Sequence, residues 1–530
     1  MAVTRRAFLG SAAAASLLPA VGARAQTADL DVAIVGGGVA GAYTAWRLRN
    51  EQPALRVRLF EMSDRIGGRL RSVAFPQAPH LVGELGGMRF LESQPHVFNL
   101  VAHLNLPKRG YPVSDPQDRL DLRGKSLSYA QAGQPGALFP YNIPPAEQSP
   151  AAGTYMERIA QIVPDAKTMT PARWRQERAT LRYKGRLLKD WAAWTLLSDV
   201  FTHEEMAFAQ DASGYDDIAL HQTALDEFDF QLDSPDESKP FFTVAGGYQR
   251  LPLALAEEAG RAGANVSLHT RLAGLEVSAI PGAPLTLALQ TQGGSLQQVT
   301  ARQVVLALPR HAIERIDHFP ARNAAAVADL IASVEPVPAC KALLLYPRPW
   351  WRDLGIAGGR SVTDMPARQF YALGAERERL ASESGGGLGV LMMYSDANTV
   401  EYWKETVPPA PREACGFQWL GADAQLAQEL HREAGLVYAT TPPQPLAACF
   451  QDWTAEPFGG GWHFWGPGRD ARALADRVMQ PVAGRPLYIC GEAYGFEAGW
   501  VEAALERAET MLQRHFGLGP PAWLAAAAGG

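Results

Sequence analysis

LDVAIVGGGVAG, at residues 30–41, is the stretch that decides the fold of this chain. Its first six residues are an apolar run typical of a buried parallel strand, and a helix-like stretch follows the glycines. Gly36, Gly38 and Gly41 have the G-x-G-x-x-G spacing. They suit, in turn, a tight turn, a close approach of the backbone to a pyrophosphate, and close packing of helix on strand. The stretch therefore predicts a dinucleotide-binding βα unit whose helix N-terminus faces the phosphates.

A second strand-like run at 55–60 ends at Glu61, which lies 20 residues after Gly41. An acid at this distance typically binds the ribose hydroxyls. The following segment, RIGGRLRS at residues 65–72, places Gly67 and Gly68 between arginines. This arrangement suits a second backbone approach to the pyrophosphate, with guanidinium groups matching its charge. A glycine- and arginine-rich surface turn is the alternative interpretation.

Composition limits the class of protein without naming a chemistry. The 530 residues carry a formal charge of −6, with 47 % hydrophobic and 20 % charged residues. These values exclude a disordered, collagen-like or coiled-coil chain and allow about three domains. The weak acidic balance disfavours nucleic acid as a partner, because that affinity needs a basic face. No pair of the four cysteines has a C-x-x-C spacing, and no cluster of metal ligands is evident.

The N-terminus reads as an export signal. Residues 1–25 have a basic start with Arg5 and Arg6, a short apolar stretch, and an Ala-x-Ala end. The arginine pair followed by Phe8 and Leu9 resembles a twin-arginine signal, which exports folded proteins. An ordinary secretory signal with two chance arginines is the alternative. We therefore expect a protein exported after folding, periplasmic or secreted, without a membrane anchor.

The two glycine-rich segments together resemble the dinucleotide signature of the flavin amine oxidase family. Several later segments extend the resemblance toward its L-amino-acid oxidase branch: ELGGMRF (84–90), SVTDMPAR (361–368) leading to Tyr371, GVLMMY (389–394), CGEAY (490–494) and AGWVE (498–502). The resemblance implies an α/β fold, in which a Rossmann-like FAD-binding domain is interleaved with a mixed-sheet substrate domain and a helical insertion. The expected segments are 28–72, 240–330 and 475–516 for the FAD domain, 73–140 and 331–470 for the substrate domain, 151–232 for the helical insertion, and 517–530 for a flexible tail.

The same resemblance implies FAD as the cofactor. It is expected to be non-covalent, because PFGGGW at 457–462 has no cysteine where monoamine oxidases attach their flavin. The cofactor-binding residues carried over are Gly36, Gly38, Val39, Ala40, Gly41, Glu61, Gly68, Arg69, Gly86, Gly87, Met88, Arg89, Val266, Gly491, Glu492, Gly499, Trp500 and Val501.

Lys341 is the candidate catalytic residue. It is a single cation in an apolar run, where an unpaired ammonium is costly to bury. The family implies that it holds a water at the flavin and assists the reaction with oxygen. A lysine at the edge of a strand is the alternative.

Arg89 is the candidate ligand of the substrate carboxylate, since a planar guanidinium suits a carboxylate bidentately. A structural arginine paired with Glu84 or Glu92 is the alternative. The other predicted substrate-binding residues are Tyr371, Trp500 and Trp465, the first as a hydroxyl for the same carboxylate and the last two as walls, together with Gly499. A packed core position is the alternative for Tyr371, beside an apolar run, and an equal alternative for Trp465. His221 is assigned no role, and Asp216 and Asp217 are interpreted as solvated loop acids rather than as a site for a basic substrate.

The implied reaction is hydride transfer from Cα of an L-amino acid to flavin N5. Oxygen then gives hydrogen peroxide, and hydrolysis gives a 2-oxo acid and ammonia. The flavin supplies the redox chemistry, while the protein binds and orients the substrate. The expected partners are the amino acid and O₂, with a homodimer as a possible assembly. An amide-forming amino-acid 2-monooxygenase and a polyamine or monoamine oxidase remain alternatives.

Overall fold

The computed structural model describes residues 28–134, 136–148, 154–217, 220, 222–233, 239–278, 280, 282–320, 324–375, 387–497 and 499–525. The predicted signal at 1–25 lies outside these residues. In the described part of the chain, no helix is long and apolar enough to cross a membrane.

The strands are β1 (Leu30–Val35), β2 (Val57–Phe60), β3 (Ser72–Ala74), β4 (Val82–Glu84), β5 (Phe90–Leu91), β6 (Lys108–Gly110), β7 (Arg119–Leu122), β8 (Lys125–Ser128), β9 (Arg182–Tyr183), β10 (Arg186–Leu187), β11 (Phe241–Val244), β12 (Asn265–Ser267), β13 (Thr270–Glu276), β14 (Leu285–Thr291), β15 (Leu296–Leu306), β16 (Val334–Val337), β17 (Ala339–Tyr346), β18 (Gly359–Thr363), β19 (Gln369–Ala375), β20 (Gly389–Asp396), β21 (Phe417–Gly421), β22 (Ala447–Asp452), β23 (Trp462–Trp465) and β24 (Leu487–Ile489).

The α-helices are α1 (Val39–Glu51), α2 (Pro95–His103), α3 (Tyr129–Ala132), α4 (Thr154–Ile159), α5 (Pro171–Glu177), α6 (Ala193–Leu197), α7 (His203–Ser213), α8 (Ala224–Asp233), α9 (Arg250–Arg261), α10 (Arg310–Glu314), α11 (Ala325–Ile331), α12 (Thr399–Glu405), α13 (Gln425–Val437), α14 (Ala471–Met479), α15 (Val501–Phe516) and α16 (Ala522–Ala525).

One sheet is built on the opening glycine motif. Its parallel strands β12, β2, β1 and β15 lie side by side, β24 also pairs with β15, and β14 and β13 continue antiparallel. A side chain on Gly41 would collide with the carbonyl of Gly36, so the glycine allows α1 to approach β1 closely. Helices α1, α9 and α15 bury one face of this sheet in a shared apolar core.

The second large sheet has the order β21-β22-β17-β20-β19-β18-β7-β8, in which β18 and β7 are parallel and the other pairs are antiparallel. Its central strands β17 and β20 are buried along their whole length. Helices α12 and α13 pack on one face of this sheet. The opposite face borders the large cavity described below. Together the sheets and helices confirm the predicted α/β fold class.

The helical segment from α4 to α8 has a core of its own and also contains the short hairpin β9–β10. Strand β11 pairs with β5 and β6 and not with the glycine-motif sheet, although it lies in the segment predicted for the FAD domain.

The predicted flexible tail needs correction over residues 517–525. Leu518 is buried, and Trp523 packs edge-on against Tyr43 at 6.3 Å between ring centroids and stacks on His103 at 6.2 Å. Apolar burial therefore anchors this part of the C-terminus to α1 and α2.

Candidate active site

A cavity of about 1510 Å³ runs between the two large sheets and the helical segment. One end is lined by Gly36, Gly38, Glu61 and Gly68, and the interior by Lys341, Arg89 and several aromatic side chains. Segments more than 400 residues apart in the sequence therefore form one continuous wall.

The glycine turns shape the nucleotide end. Gly36 has φ +106° and Gly68 has φ +55°, both in the region that favours glycine. Gly38 forms a bridge with Gly67, which brings the two glycine segments side by side. Gly491 has φ +129° and lines the cavity, and no heavy atom lies within 4 Å of the place where its Cβ would be. These positions leave backbone exposed along a groove where a side chain would take up space.

Glu61 is held rigidly at this end. One carboxylate oxygen accepts a hydrogen bond from the Gly37 amide at 2.6 Å, and the other accepts from the amide and hydroxyl of Ser63 at 2.8 and 2.7 Å. The residue follows β2 directly and borders the cavity. Glu61, singled out by its spacing from Gly41, is thus a fixed acid at the cavity wall.

Glu492, which is buried, and Arg69, which is partly buried, form an ion pair further along the wall. The Arg69 guanidinium donates to the carboxylate at 2.6 Å, and the amides of His463 and Gly499 donate at 3.0 and 3.1 Å. Although burial acts in the opposite direction, Arg69, the His463 side chain and the Gly499 amide lower the pKa of Glu492 to about 2. Both residues border the cavity, as do the predicted Val39, Ala40, Gly86, Gly87, Met88, Gly499 and Val501.

Register in the second sheet places a row of polar side chains on the face toward the cavity. Lys341 on β17 lies opposite Gln451 on β22 and Tyr394 on β20, and Tyr394 lies opposite Gln369 on β19. Residues directly opposite each other across a ladder share a face. In the next row, Arg360 on β18 lies opposite Tyr371 on β19.

Lys341 is buried, and its ammonium donates to the Gly86 carbonyl at 2.7 Å. It also lies 5.1 Å from the centroid of the Tyr394 ring. Burial lowers the pKa of Lys341 to about 7, with Glu84 opposing the shift and Arg89 adding to it. Lys341 can therefore gain or lose a proton near neutral pH. It lies in a central strand, which excludes the alternative of an edge lysine.

Arg89 lies where the chain enters β5, with its guanidinium 4.6 Å from the centroid of the Phe241 ring. It lines the cavity, and its Nη1 is buried without a hydrogen-bond partner. Neither Glu84 nor Glu92 pairs with it among the described residues, since Glu84 accepts from the Tyr248 amide and the Ser72 hydroxyl. The arginine is free to bind an anion.

The structure corrects the role predicted for Tyr371. Its side chain is fully buried, its hydroxyl donates to Gln369 at 2.8 Å, and it does not border the cavity. The tyrosine at the cavity wall is Tyr394, two strand positions from the residue opposite Tyr371. The strand at 389–394 was named from the sequence, but Tyr394 was not, because both tyrosines lie among apolar residues and strand register decides which of them borders the cavity.

Aromatic rings form the rest of the inner wall. Trp500 stacks on Phe241 with 6.4 Å between centroids, and Trp462 lies 6.2 Å from Tyr394. Trp465 borders the cavity but is 3 % exposed, and its indole donates to the Gly495 carbonyl at 2.9 Å. Arg360, Tyr215 and Trp462 were not predicted, since no local motif marks them.

The structure also locates the remaining residues that the sequence analysis named. Gly41 packs under the turn, and Val266, in β12, lies beside Leu59 and does not border the cavity, whereas Thr270, Arg271 and Leu272 do. His221 lies outside the described residues. Asp216 is not a solvated loop acid: it is buried and pairs with Arg368 at 3.1 Å, while Asp217 lines the cavity.

The family model for flavin-containing amine oxidoreductases matches residues 39–511. The chain belongs to this family.

The chain is similar in sequence to aplysianin-A, achacin and an L-amino acid oxidase. Aplysianin-A of Aplysia kurodai is 28 % identical over 92 % of this chain and 90 % of its own length. Achacin of Lissachatina fulica is 26 % identical over 92 % of this chain and 93 % of its own length. An L-amino acid oxidase of Bothrops pictus is 22 % identical over 91 % and 90 %.

Among solved structures, cyclohexylamine oxidase of Brevibacterium oxydans superposes with a TM-score of 0.65 at 19 % identity, covering 92 % of this chain and 99 % of its own. A variant of putrescine oxidase gives a TM-score of 0.64 at 18 % identity, covering 91 % and 98 %. At these identities the similarity supports the fold alone.

A flavin fits the residues present. The open space at Gly491, the paired glycine turns at Gly38 and Gly67, and the fixed acid Glu61 suit a dinucleotide. None of the four cysteines, which are all buried, borders the cavity. Burial raises the pKa of Cys415 to about 11 and of Cys449 and Cys490 to about 12, so these thiols stay protonated.

Proposed function

We propose that the protein is an FAD-dependent L-amino-acid oxidase. It would convert an L-amino acid, O₂ and water into a 2-oxo acid, ammonia and hydrogen peroxide. The observation that carries the proposal is Arg89, a cavity-lining guanidinium with a buried, unpartnered Nη1. An amine substrate has no group that would satisfy such a cation, whereas an α-carboxylate accepts from it bidentately.

A flavin held by the walls around Gly36, Gly38, Glu61 and Glu492 would supply the two-electron redox chemistry between the substrate α-carbon and O₂. Arg89 fixes the carboxylate and so limits the orientations of the α-hydrogen. Trp462, Trp500 and Tyr394 enclose the reacting part of the substrate and exclude water. Lys341, whose Nζ donates to the Gly86 carbonyl, would accept or release a proton near pH 7 and would hold a water there.

We further propose that the FAD is non-covalent, since no cysteine reaches the cavity wall in the described chain. Acid precipitation should then release all of the yellow chromophore as free FAD. Chromophore that stays with the protein pellet would contradict this part of the proposal.

Export through the signal at 1–25 also remains a proposal, supported by Arg5 and Arg6.

The test is a peroxide assay of the purified flavoprotein with each L-amino acid and with amines that lack a carboxylate. We expect peroxide from amino acids, and a 2-oxo acid with ammonia as products. Amide as the main product would favour a 2-monooxygenase instead. Peroxide from amines alone would favour an amine oxidase.

The matched variant is Arg89→Gln. Losing a charged partner of a bound carboxylate costs about 2–5 kcal/mol, or roughly 30- to 4,000-fold in kcat/KM. Arg432→Gln, an exposed arginine on α13, is the control and should change nothing. If Arg89→Gln oxidises its amino acid as well as the wild type does, the proposed role of Arg89 is refuted.

A further inference from the structure

Two arginines in the cavity wall near the second sheet lack an acidic partner; a third, Arg271, lies on β13 of the glycine-motif sheet. Arg89 is one, and the other is Arg360, at the start of β18, which also lines the cavity. The Arg360 guanidinium donates to the Ser213 carbonyl at 3.3 Å and to the Gln369 side chain at 3.5 Å, which are both neutral groups. In the part of the chain that the structure describes, neither guanidinium forms an ion pair. The Asp118 carboxylate accepts from the Arg360 backbone amide at 2.8 Å instead, and burial raises the pKa of Asp118 to about 7.

The two positive charges lie close enough to affect each other. Burial acts to lower the pKa of both guanidiniums, and the nearby Tyr371 and Tyr215 act to raise it. Arg360 in turn acts to lower the pKa of Arg89. Burial raises the pKa of Tyr215, so this phenol is neutral near pH 7 and does not cancel either charge. Uncompensated cations in a partly buried wall are costly unless a ligand neutralises them.

The acids that line the same cavity do not cancel these charges, because they have other partners. Asp217 lies near the buried Asp396 and, after burial, helps to raise the pKa of that carboxyl. Burial raises the pKa of Asp226 well above its usual range, so it is neutral, and its side chain accepts from the Trp465 amide. The other acids of the wall that have a basic partner are Glu147 and Glu205 with Arg158, Asp229 with Arg178, Asp233 with Arg175 and Arg472, Glu456 with Arg315 and Arg412, Glu492 with Arg69, Glu502 with His96, and Glu506 with Arg507.

A ligand with two carboxylates would balance both arginines. An α-carboxylate on Arg89 uses one charge and leaves the charge of Arg360. We propose that the preferred substrates are L-amino acids whose side chain carries a second carboxylate, and that Arg360 binds this carboxylate. The proposal rests on the proposed oxidase function and adds the substrate class. Arg360 would discriminate by charge, since an amide of the same shape cannot neutralise a guanidinium.

The isosteric pairs L-glutamate with L-glutamine and L-aspartate with L-asparagine test this charge alone. With the purified flavoprotein we expect kcat/KM at least 10-fold higher for the acid than for its amide in one pair or both. In Arg360→Gln the ratio should fall close to one, while the control Arg432→Gln keeps the wild-type ratio. An amide that equals its acid, a preference for basic amino acids, or an unchanged ratio in Arg360→Gln would each overturn the proposal.

A binding experiment separates this proposal from the oxidase function. Glutarate carries two carboxylates and butyrate one, and neither can be oxidised at an amino carbon. Their dissociation constants can be measured from the change in flavin absorbance. We expect glutarate to bind at least 10-fold tighter than butyrate to the wild type and similarly to butyrate in Arg360→Gln. Equal binding by the wild type would refute the role of Arg360 whatever the enzyme oxidises, whereas tight glutarate binding without turnover of any amino acid would refute the oxidase function instead.

Discussion

Replacing Lys341 by methionine should stabilise the protein at low pH and leave its stability unchanged at high pH. The side chain is 4 % exposed, and burial lowers the pKa of its ammonium from 10.5 to about 7. Because the folded pKa lies below the unfolded one, the unfolded chain binds more protons between these values, and stability rises with pH across that window. The penalty is therefore complete below about pH 7 and absent above about pH 10.5.

The size of the effect follows from the shift. Lowering the pKa of Lys341 from 10.5 to about 7 reduces the free energy of unfolding below pH 7 by about 5 kcal/mol, at about 1.36 kcal/mol for each pH unit. Methionine has a similar length, carries no charge and adapts its shape, so it should fill the space without forming a cavity. For a chain of this size, about 1 kcal/mol shifts Tm by about 1 °C. We therefore expect Tm to rise by several degrees at pH 6 and by almost nothing at pH 10.5.

The assay is thermal unfolding of wild type, Lys341→Met and the control Lys239→Met from pH 6 to pH 10.5, at matched flavin content. Lys239 is exposed, so its variant should follow the wild type throughout. A Lys341→Met variant that is less stable than the wild type at pH 6, or a stability gain that is constant with pH, would refute the reasoning. The first result would mean that the ammonium stabilises the fold through its bond to the Gly86 carbonyl.

Three further predictions concern the flavin and export. Glu492→Gln removes the counter-charge 2.6 Å from Arg69, so flavin affinity in a fluorescence titration should fall at least 10-fold; an unchanged Kd would contradict this role. Gly68 has φ +55°, and Gly68→Ala would place a Cβ 3.0 Å from the Gly38 Cα. The variant should therefore have a lower flavin content and a lower Tm. Gly136→Ala, also at positive φ but with open space around it, should keep its flavin content, and equal losses in the two variants would argue against a specific cradle. Changing Arg5 and Arg6 together to lysine keeps the charge but should leave unprocessed precursor in the cytoplasm, as seen by fractionation and immunoblot; normal export would rule out the twin-arginine route.

The sequence by itself determined the features that neighbouring residues encode. The turn at Gly36–Gly41 and the acid at Glu61 each depend on a short stretch of chain, so their spacing was enough to predict a dinucleotide-binding fold. Lys341 stood out because a cation inside an apolar run is unusual wherever that strand lies. Arg89 was marked by its motif, and the structure adds that no acid in the described chain neutralises it.

Tertiary structure decided the features that depend on pairing between distant segments. The sequence favoured Tyr371, but the ladder between β19 and β20 buries that hydroxyl against Gln369 and brings Tyr394 to the wall beside Lys341. Arg360 and Trp462 reach the cavity by register and by the pairing of β16 with β23, which no local pattern encodes. The physical reason is that exposure and electrostatic partners depend on which strands lie side by side. A local pattern fixes the strand, but the ladder determines what each side chain faces.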